Sequence, residues 1–136
     1  MASIRKEFPV AADATVAWDA VRDFGAVHTR LAPGFVTACA LDHTDGETAR
    51  DLTFGNGMQA RELLVGIDDA HRRLAYTIVG GRAKHYNGSM RIVAEGKGCR
   101  AVWIVDVLPE AFAQPISAMM DLGVQQMQQA LGHPSP

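Results

Sequence analysis

The chain contains only two cysteines, Cys39 and Cys99, and no Cys-x-x-Cys or paired Cys/His spacing. This excludes a disulfide framework and a zinc-type ligand set, so both thiols are expected reduced and half-buried, as in a cytoplasmic protein. Apolar runs stop at about five residues where a bilayer span needs about 20. The segment from Ala2 to Glu7 has no apolar stretch like a signal-peptide core. Neither membrane insertion nor export is expected. Positive charge is also short: thirteen Lys plus Arg against fifteen Asp plus Glu leave a net charge of −2. The basic excess that phosphate-backbone binding requires is missing, so nucleic acid is not an expected partner. Histidines 28, 43, 71, 85 and 133 show no His-x-x-x-His or His-x-Glu spacing, and glycine-rich nucleotide loops and a Gly-x-Ser-x-Gly elbow are missing. No metal, no nucleotide cofactor and no serine hydrolysis are expected.

What is present suits one domain over residues 1–136, with 48% hydrophobic residues and no internal repeat. Residues 4–10 alternate apolar and charged, which predicts a strand closed by Pro9 and two alanines. Asp13 is placed to cap a helix over 14–23, ended by Gly25, and a second short helix over 26–31 is stopped by Pro33-Gly34. Six β-like runs follow at 35–42, 48–54, 58–67, 72–79, 85–94 and 100–108. The segments between them, Thr44-Asp45-Gly46 and Gly55-Asn56-Gly57 among them, supply tight-turn chemistry, so the strands are expected to form an antiparallel meander. From Glu110 to Leu131 the period returns to that of a helix, with Ile116, Met119, Met120, Gly123, Val124, Met127 and Leu131 on one side. A strongly curved sheet needs something in its concavity, and this final helix is the candidate.

That element order is accompanied by particular residues: Val16-Ala17-Trp18-Asp19-Ala20-Val21-Arg22-Asp23-Phe24-Gly25, then Ala49-Arg50 leading to Phe54-Gly55-Asn56-Gly57, and Arg61-Glu62-Leu63-Leu64. Arg72-Arg73-Leu74-Ala75-Tyr76, His85-Tyr86, Trp103 and Asp106-Val107-Leu108-Pro109 complete the set. Across nearly its whole length the chain resembles the SRPBCC or START-like superfamily, in its polyketide cyclase/dehydrase and lipid-transport branch. The resemblance implies an α+β helix-grip fold: a seven-stranded curved antiparallel sheet around a long C-terminal helix, two short helices between strands 1 and 2, and a cavity for a hydrophobic ligand. Members range from cyclases to lipid carriers and ligand-sensing receptors, so the fold alone does not select a function.

Hairpin geometry read from the turns pairs Arg50 with Glu62, Leu64 with Tyr76, Tyr86 with Ile78, and Met90 with Ile104. One face then carries Arg50, Leu52, Phe54, Met58, Glu62, Leu64, Tyr76, Ile78, Tyr86, Met90, Ile92, Ile104 and Asp106, and is expected to be concave. Leu63, Val65, Val79, Trp103 and Val105 fall on the outer face, which implies either a homodimer contact or a bulge that reverses the register.

Arg50, Glu62 and Tyr76 form the candidate catalytic set. Arg50 could polarise a carbonyl or enolate oxygen, Tyr76 or Tyr86 could donate a proton, and Glu62 could abstract one. The same pair also reads as a silent cross-strand salt bridge, and the tyrosines as core aromatics. Phe54, Leu64, Ile78, Tyr86, Met90, Ile104, Asp106, Met119, Met120 and Gly123 are the candidate ligand lining. The expected ligand is a small hydrophobic molecule with an oxygenated end, such as a polyketide, lipid or aromatic metabolite. It would be handled by a cyclase/dehydratase-like enzyme or, alternatively, by a non-catalytic carrier.

Overall fold

The computed structural model describes residues 2–133. Seven antiparallel strands form one sheet in the order β1-β7-β6-β5-β4-β3-β2: β1 (Ala2–Val10), β2 (Val36–Thr44), β3 (Glu47–Phe54), β4 (Gln59–Asp68), β5 (Arg73–Val79), β6 (His85–Glu95) and β7 (Gly98–Leu108). Helix α1 (Ala14–Arg22) and a single π turn (Val27–Leu31) lie between β1 and β2; a 3-10 turn (Glu110–Phe112) leads into the long helix α2 (Ala113–Leu131). The helix-grip arrangement is therefore the one the sequence predicts, except that the second short helix is a π turn and α2 is preceded by the tighter turn.

Local chemistry explains the boundaries. Asp13 caps α1, its Oδ1 accepting from the Val16 N–H at 3.0 Å. The Asp45-Gly46 pair, with φ of 56° and 76°, makes the two-residue β2–β3 hairpin that brings Thr44 opposite Glu47. Pro9 is tolerated because β1 is an edge strand. Pro115 occupies the first turn of α2, where its missing N–H has no helical acceptor to lose. At the other end of α2, the carbonyls of Leu131 and Gly132 accept from the N–H groups of Ala12 and Ala11, at 3.1 and 2.9 Å.

The core lies between the concave face of the sheet and the helices. Phe8, Val10, Leu52, Leu74, Tyr76, Met90, Ile92, Trp103, Val105 and Val107 meet Trp18 and Val21 of α1 and Met120 and Met127 of α2. Outside the core, the β4–β5 turn is tied to α1: Asp69 Oδ1 accepts from Trp18 Nε1 and from Arg22 Nε, each at 2.8 Å.

The predicted pairings across β3, β4 and β5 occur as drawn: Arg50 faces Glu62 and Leu64 faces Tyr76. The β6–β7 pairing differs by one residue. Met90 faces Trp103 and Gly88 faces Val105, because the hairpin closes with Glu95 opposite Gly98 around a two-residue turn rather than a three-residue one. A one-residue slip moves every side chain of a strand to the other face. Trp103, Val105 and Val107 therefore point into the core, while Ile104 and Asp106, expected on the concave wall, lie on the outer face. Asp106 is bound there by Ser3 Oγ at 2.5 Å and Asn87 Nδ2 at 3.0 Å. A bulge does occur, between Leu64 and Gly66, and it leaves Val65 outward and 65% exposed. Leu63 and Val79 also stay on the outer side, beside a shallow depression of about 190 Å³ that Arg61 and Asp42 rim.

Candidate functional site

Strand β3 carries Arg50 and β4 carries Glu62 as direct cross-strand neighbours on the concave face. Both are buried, at 7% and 6% exposure. Arg50 Nε and Nη2 approach the same carboxylate oxygen, Glu62 Oε1, at 2.8 and 2.7 Å. The remaining terminal nitrogen, Nη1, donates to the main-chain oxygen of Phe24 at 3.2 Å. The guanidinium is stacked on the Phe24 ring, Cζ 4.0 Å from its centroid, with the Tyr76 ring 5.6 Å away. A cation placed on aromatic faces and matched by one carboxylate is the arrangement in which burial of charge is tolerated.

Tyr76, also fully enclosed, extends this cluster towards α2. Its Oη accepts from Trp103 Nε1 at 3.0 Å. Its ring lies directly over Gly88 of β6, where an added Cβ would collide with ring carbons and hydroxyl alike. Burial, then the neighbouring Tyr86 and the Glu62 charge, push the Tyr76 phenol well above its ordinary range; burial and Glu62 raise Tyr86 as well. Both are therefore neutral donors at physiological pH and not bases.

Trp103 and Phe35 close the space above Gly123: a Cβ there would meet Trp103 Cζ3 at 3.0 Å and Phe35 Cε2 at 3.1 Å. Gly123 thus serves close packing instead of leaving a void over the helix. Phe35 stands edge-on to Phe54, centroids 5.3 Å apart, and to Trp103 at 6.5 Å. On its other side is an open groove of about 310 Å³, bounded by Gly34, Phe35, Phe54, Asn56 and, from α2, Met119, Leu122, Gln125 and Gln126. The groove has apolar walls and a rim of carboxamides, with no charged residue in its lining.

Of the residues singled out from sequence, Arg50, Glu62, Tyr76 and Tyr86 come together in the interior. Met90 and Met120 are buried in the same core, with Leu64 and Ile78 partly buried against it. Phe54 and Met119 border the groove. Ile104 and Asp106 are not part of either group. His28 sits in the π turn with Nδ1 buried and unpartnered, and Arg30 is committed to Asp19 and Asp23 at 2.6 and 2.9 Å. Sequence reasoning missed Phe24, Phe35 and the inward Trp103. A two-residue reading of the Gly96-Lys97 turn would have recovered Trp103, whereas Phe24 lies in a connection where periodicity is silent, and Phe35, expected to open the strand at 35–42, instead precedes β2. Among the described residues no cluster of His, Cys, Asp and Glu could hold a metal ion, and no helix is long and apolar enough to cross a membrane.

This geometry is accompanied by a match of residues 1–133 to the model of the family described as polyketide cyclase / dehydrase and lipid transport. The chain belongs to that family. Solved structures agree on the fold. An uncharacterized protein from Bacillus thuringiensis superposes with a TM-score of 0.82 at 15% identity, over 96% of this chain and 98% of its own. A protein from Thermobifida fusca gives 0.73 at 25% identity, over 99% of each chain. Truncated norcoclaurine synthase from Thalictrum flavum gives 0.64 at 25% identity, over 98% of this chain and 95% of its own. None of the curated proteins compared matches the sequence. The polyketide cyclase/dehydrase and lipid transport family spans both catalysis and carriage, so the choice between them depends on this chain's own residues.

Proposed function

We propose that this protein binds a small hydrophobic molecule with an oxygenated end between the concave face of the sheet and α2, and that Arg50 receives the oxygen. The observation that carries this reading is the Arg50–Glu62 pair, desolvated in an otherwise apolar interior. Replacing such a pair by well-packed apolar side chains is commonly neutral or stabilising, so its presence supports a role beyond holding the fold. The groove beside Phe54 and Met119, about 310 Å³, lies at the small end of the range for small-molecule sites. Leu64, Ile78 and Tyr86 form the wall against which the apolar body would pack, while Met90, Met120 and Gly123, packed in the core, support it from behind.

A second reading is catalytic: a cyclase- or dehydratase-like proton transfer with Glu62 as base, Tyr76 or Tyr86 as donor and Arg50 polarising the carbonyl. It is favoured by the two phenols, which burial keeps protonated and so able to donate. The alternative is a carrier that uses the same wall without proton transfer.

Native mass spectrometry of freshly purified protein, followed by denaturing extraction, tests the binding reading. A stoichiometric oxygenated hydrophobic adduct is expected. A bare mass under conditions that retain weak ligands, together with no uptake of aromatic or fatty probes, would sink it. Once a ligand is known, Glu62→Gln separates the two roles: lost turnover with retained affinity marks an enzyme, and a change in affinity alone marks a carrier.

A further inference from the structure

We infer that Phe24 occupies the Arg50 site as a built-in surrogate of the ligand, and that the class of molecule that displaces it is an uncharged aryl carbonyl compound. The inference rests on the proposal that Arg50 receives a ligand oxygen, and it adds which chemistry fits there and what stands in the way. A single residue presents two groups to one guanidinium: its main-chain carbonyl accepts from Nη1 at 3.2 Å, and its ring covers Cζ at 4.0 Å. A carbonyl oxygen and an aromatic face are thus what the site already accepts.

Charge selects against an anionic ligand. Nε and Nη2 of Arg50 are taken by Glu62 Oε1 at 2.8 and 2.7 Å, so the buried pair is already balanced. A ligand carboxylate at Nη1 would bury a net negative charge, whereas a ketone or aldehyde exchanges one neutral acceptor for another. Of the three polar contacts of the Arg50 guanidinium, the one to Phe24 is the longest.

The segment that holds Phe24 lies outside the sheet ladder. Residues 23–26 lie between the end of α1 at Arg22 and the π turn that begins at Val27. The Ala26 N–H donates to the Asp23 carbonyl at 3.0 Å, and Arg30 holds the Asp23 carboxylate at 2.9 Å, so the turn is pinned at Asp23. Besides Arg50, the Phe24 carbonyl receives a thiol contact from Cys39 Sγ at 3.7 Å. Gly25 lets the segment lie against β2, since a Cβ there would meet Leu41 Cδ1 at 2.8 Å. Leu41 itself is 48% exposed and lies at the edge of the sheet. Release of Phe24 exchanges its hydrogen bond to Nη1 and its ring contact for equivalent ones from the ligand. It also gives up the Cys39 Sγ contact and the burial of a ring that is 6% exposed, which the apolar body of the ligand must replace. The apparent affinity of the wild-type protein is reduced by the fraction of molecules in which Phe24 is in place.

The test uses prodan, a naphthalene bearing a dialkylamino group and a propionyl ketone, beside the same naphthalene without the propionyl group. Phe24→Ala, which removes the ring that covers the guanidinium and leaves the main-chain carbonyl, should bind prodan about tenfold more tightly than wild type, the scale of one desolvated cation–π contact. It should also prefer prodan over the carbonyl-free probe by a similar factor. Adding Arg50→Met with Glu62→Gln, so that no charge is stranded, should erase that preference. Phe24→Leu, which keeps apolar volume and removes the ring, provides the same comparison if the alanine variant does not fold; circular dichroism monitors both. Equal prodan affinity in wild type and the Phe24 variants overturns the surrogate role while leaving ligand binding intact. So does a variant that gains both probes equally, because that is a void and not an oxygen site. No binding of either probe to any folded variant also overturns it, and the adduct experiment then judges the binding proposal separately.

Discussion

Arg50 and Glu62 are each tolerable in the interior because the other is there. Glu62→Ala strands a guanidinium that is 7% exposed and should lower stability by about 3–5 kcal/mol, read from the urea midpoint. The double replacement Arg50→Met/Glu62→Leu should unfold close to wild type or above it. If the single variant proves as mild as the double, the pair is solvated in solution and the argument from burial fails. Tyr76→Phe removes the acceptor of the Trp103 indole N–H and leaves that donor buried, at an expected loss of about 1–3 kcal/mol. The pairing of Arg50 with Glu62 is legible in the sequence because Gly55-Asn56-Gly57 sets a short hairpin and residue arithmetic does the rest. Phe24 is not legible: it reaches Arg50 from a connecting turn, through its main chain as well as its ring, and no side-chain pattern encodes that.

At the level of elements, strand existence followed from alternation and turn chemistry, and the difference at β7 came from the length of one turn. Counting three residues around Lys97 put Ile104 and Asp106 inward; the actual two-residue turn puts Trp103 and Val105 there. The apolar residues that sat awkwardly on the predicted outer face were the clue. Helix α2 has a related dependence on a single position. Gly123 is where the indole of Trp103 and the ring of Phe35 rest on the helix. A glycine in a helix interior costs about 1 kcal/mol relative to alanine, yet a large residue here cannot be accommodated. Gly123→Leu should lose about 1–3 kcal/mol and shift the Trp103 emission as the ring is pushed from its site. An unchanged emission spectrum would show that α2 stands off the sheet in solution.

For the whole molecule the clearest pH dependence is alkaline. The chain has two tyrosines, Tyr76 and Tyr86, and both have folded pKa values raised above the unfolded value of about 10, mainly by burial. A raised pKa means that the folded state holds the proton more tightly. Its contribution is complete below pH about 10 and is lost as pH climbs beyond it. Phenolate absorbance should therefore stay flat while the protein is folded and rise together with the loss of circular dichroism; a gradual, reversible rise in the folded state would contradict the enclosure of both rings. On the acid side, hydrogen bonds from Ser3 and then Asn87 lower Asp106, and Arg22 followed by Trp18 lowers Asp69. Their contributions are present above about pH 3.9, the unfolded value, and fade as pH falls through the depressed ones.

The sheet runs β1-β7-β6-β5-β4-β3-β2, so every strand pairs with a sequence neighbour except the first, which waits for the last. Ala2 lies opposite Val107, and Val10 opposite Cys99. On a ribosome adding about 5–20 residues per second, β1 emerges about 5–20 s before its partner. During that interval the meander from β2 onward can assemble by local hairpins while β1 and α1 remain a tethered, unpaired arm. Closure of the sheet thus waits for β7, and a nascent chain halted before β7 would have no strand on which to dock β1.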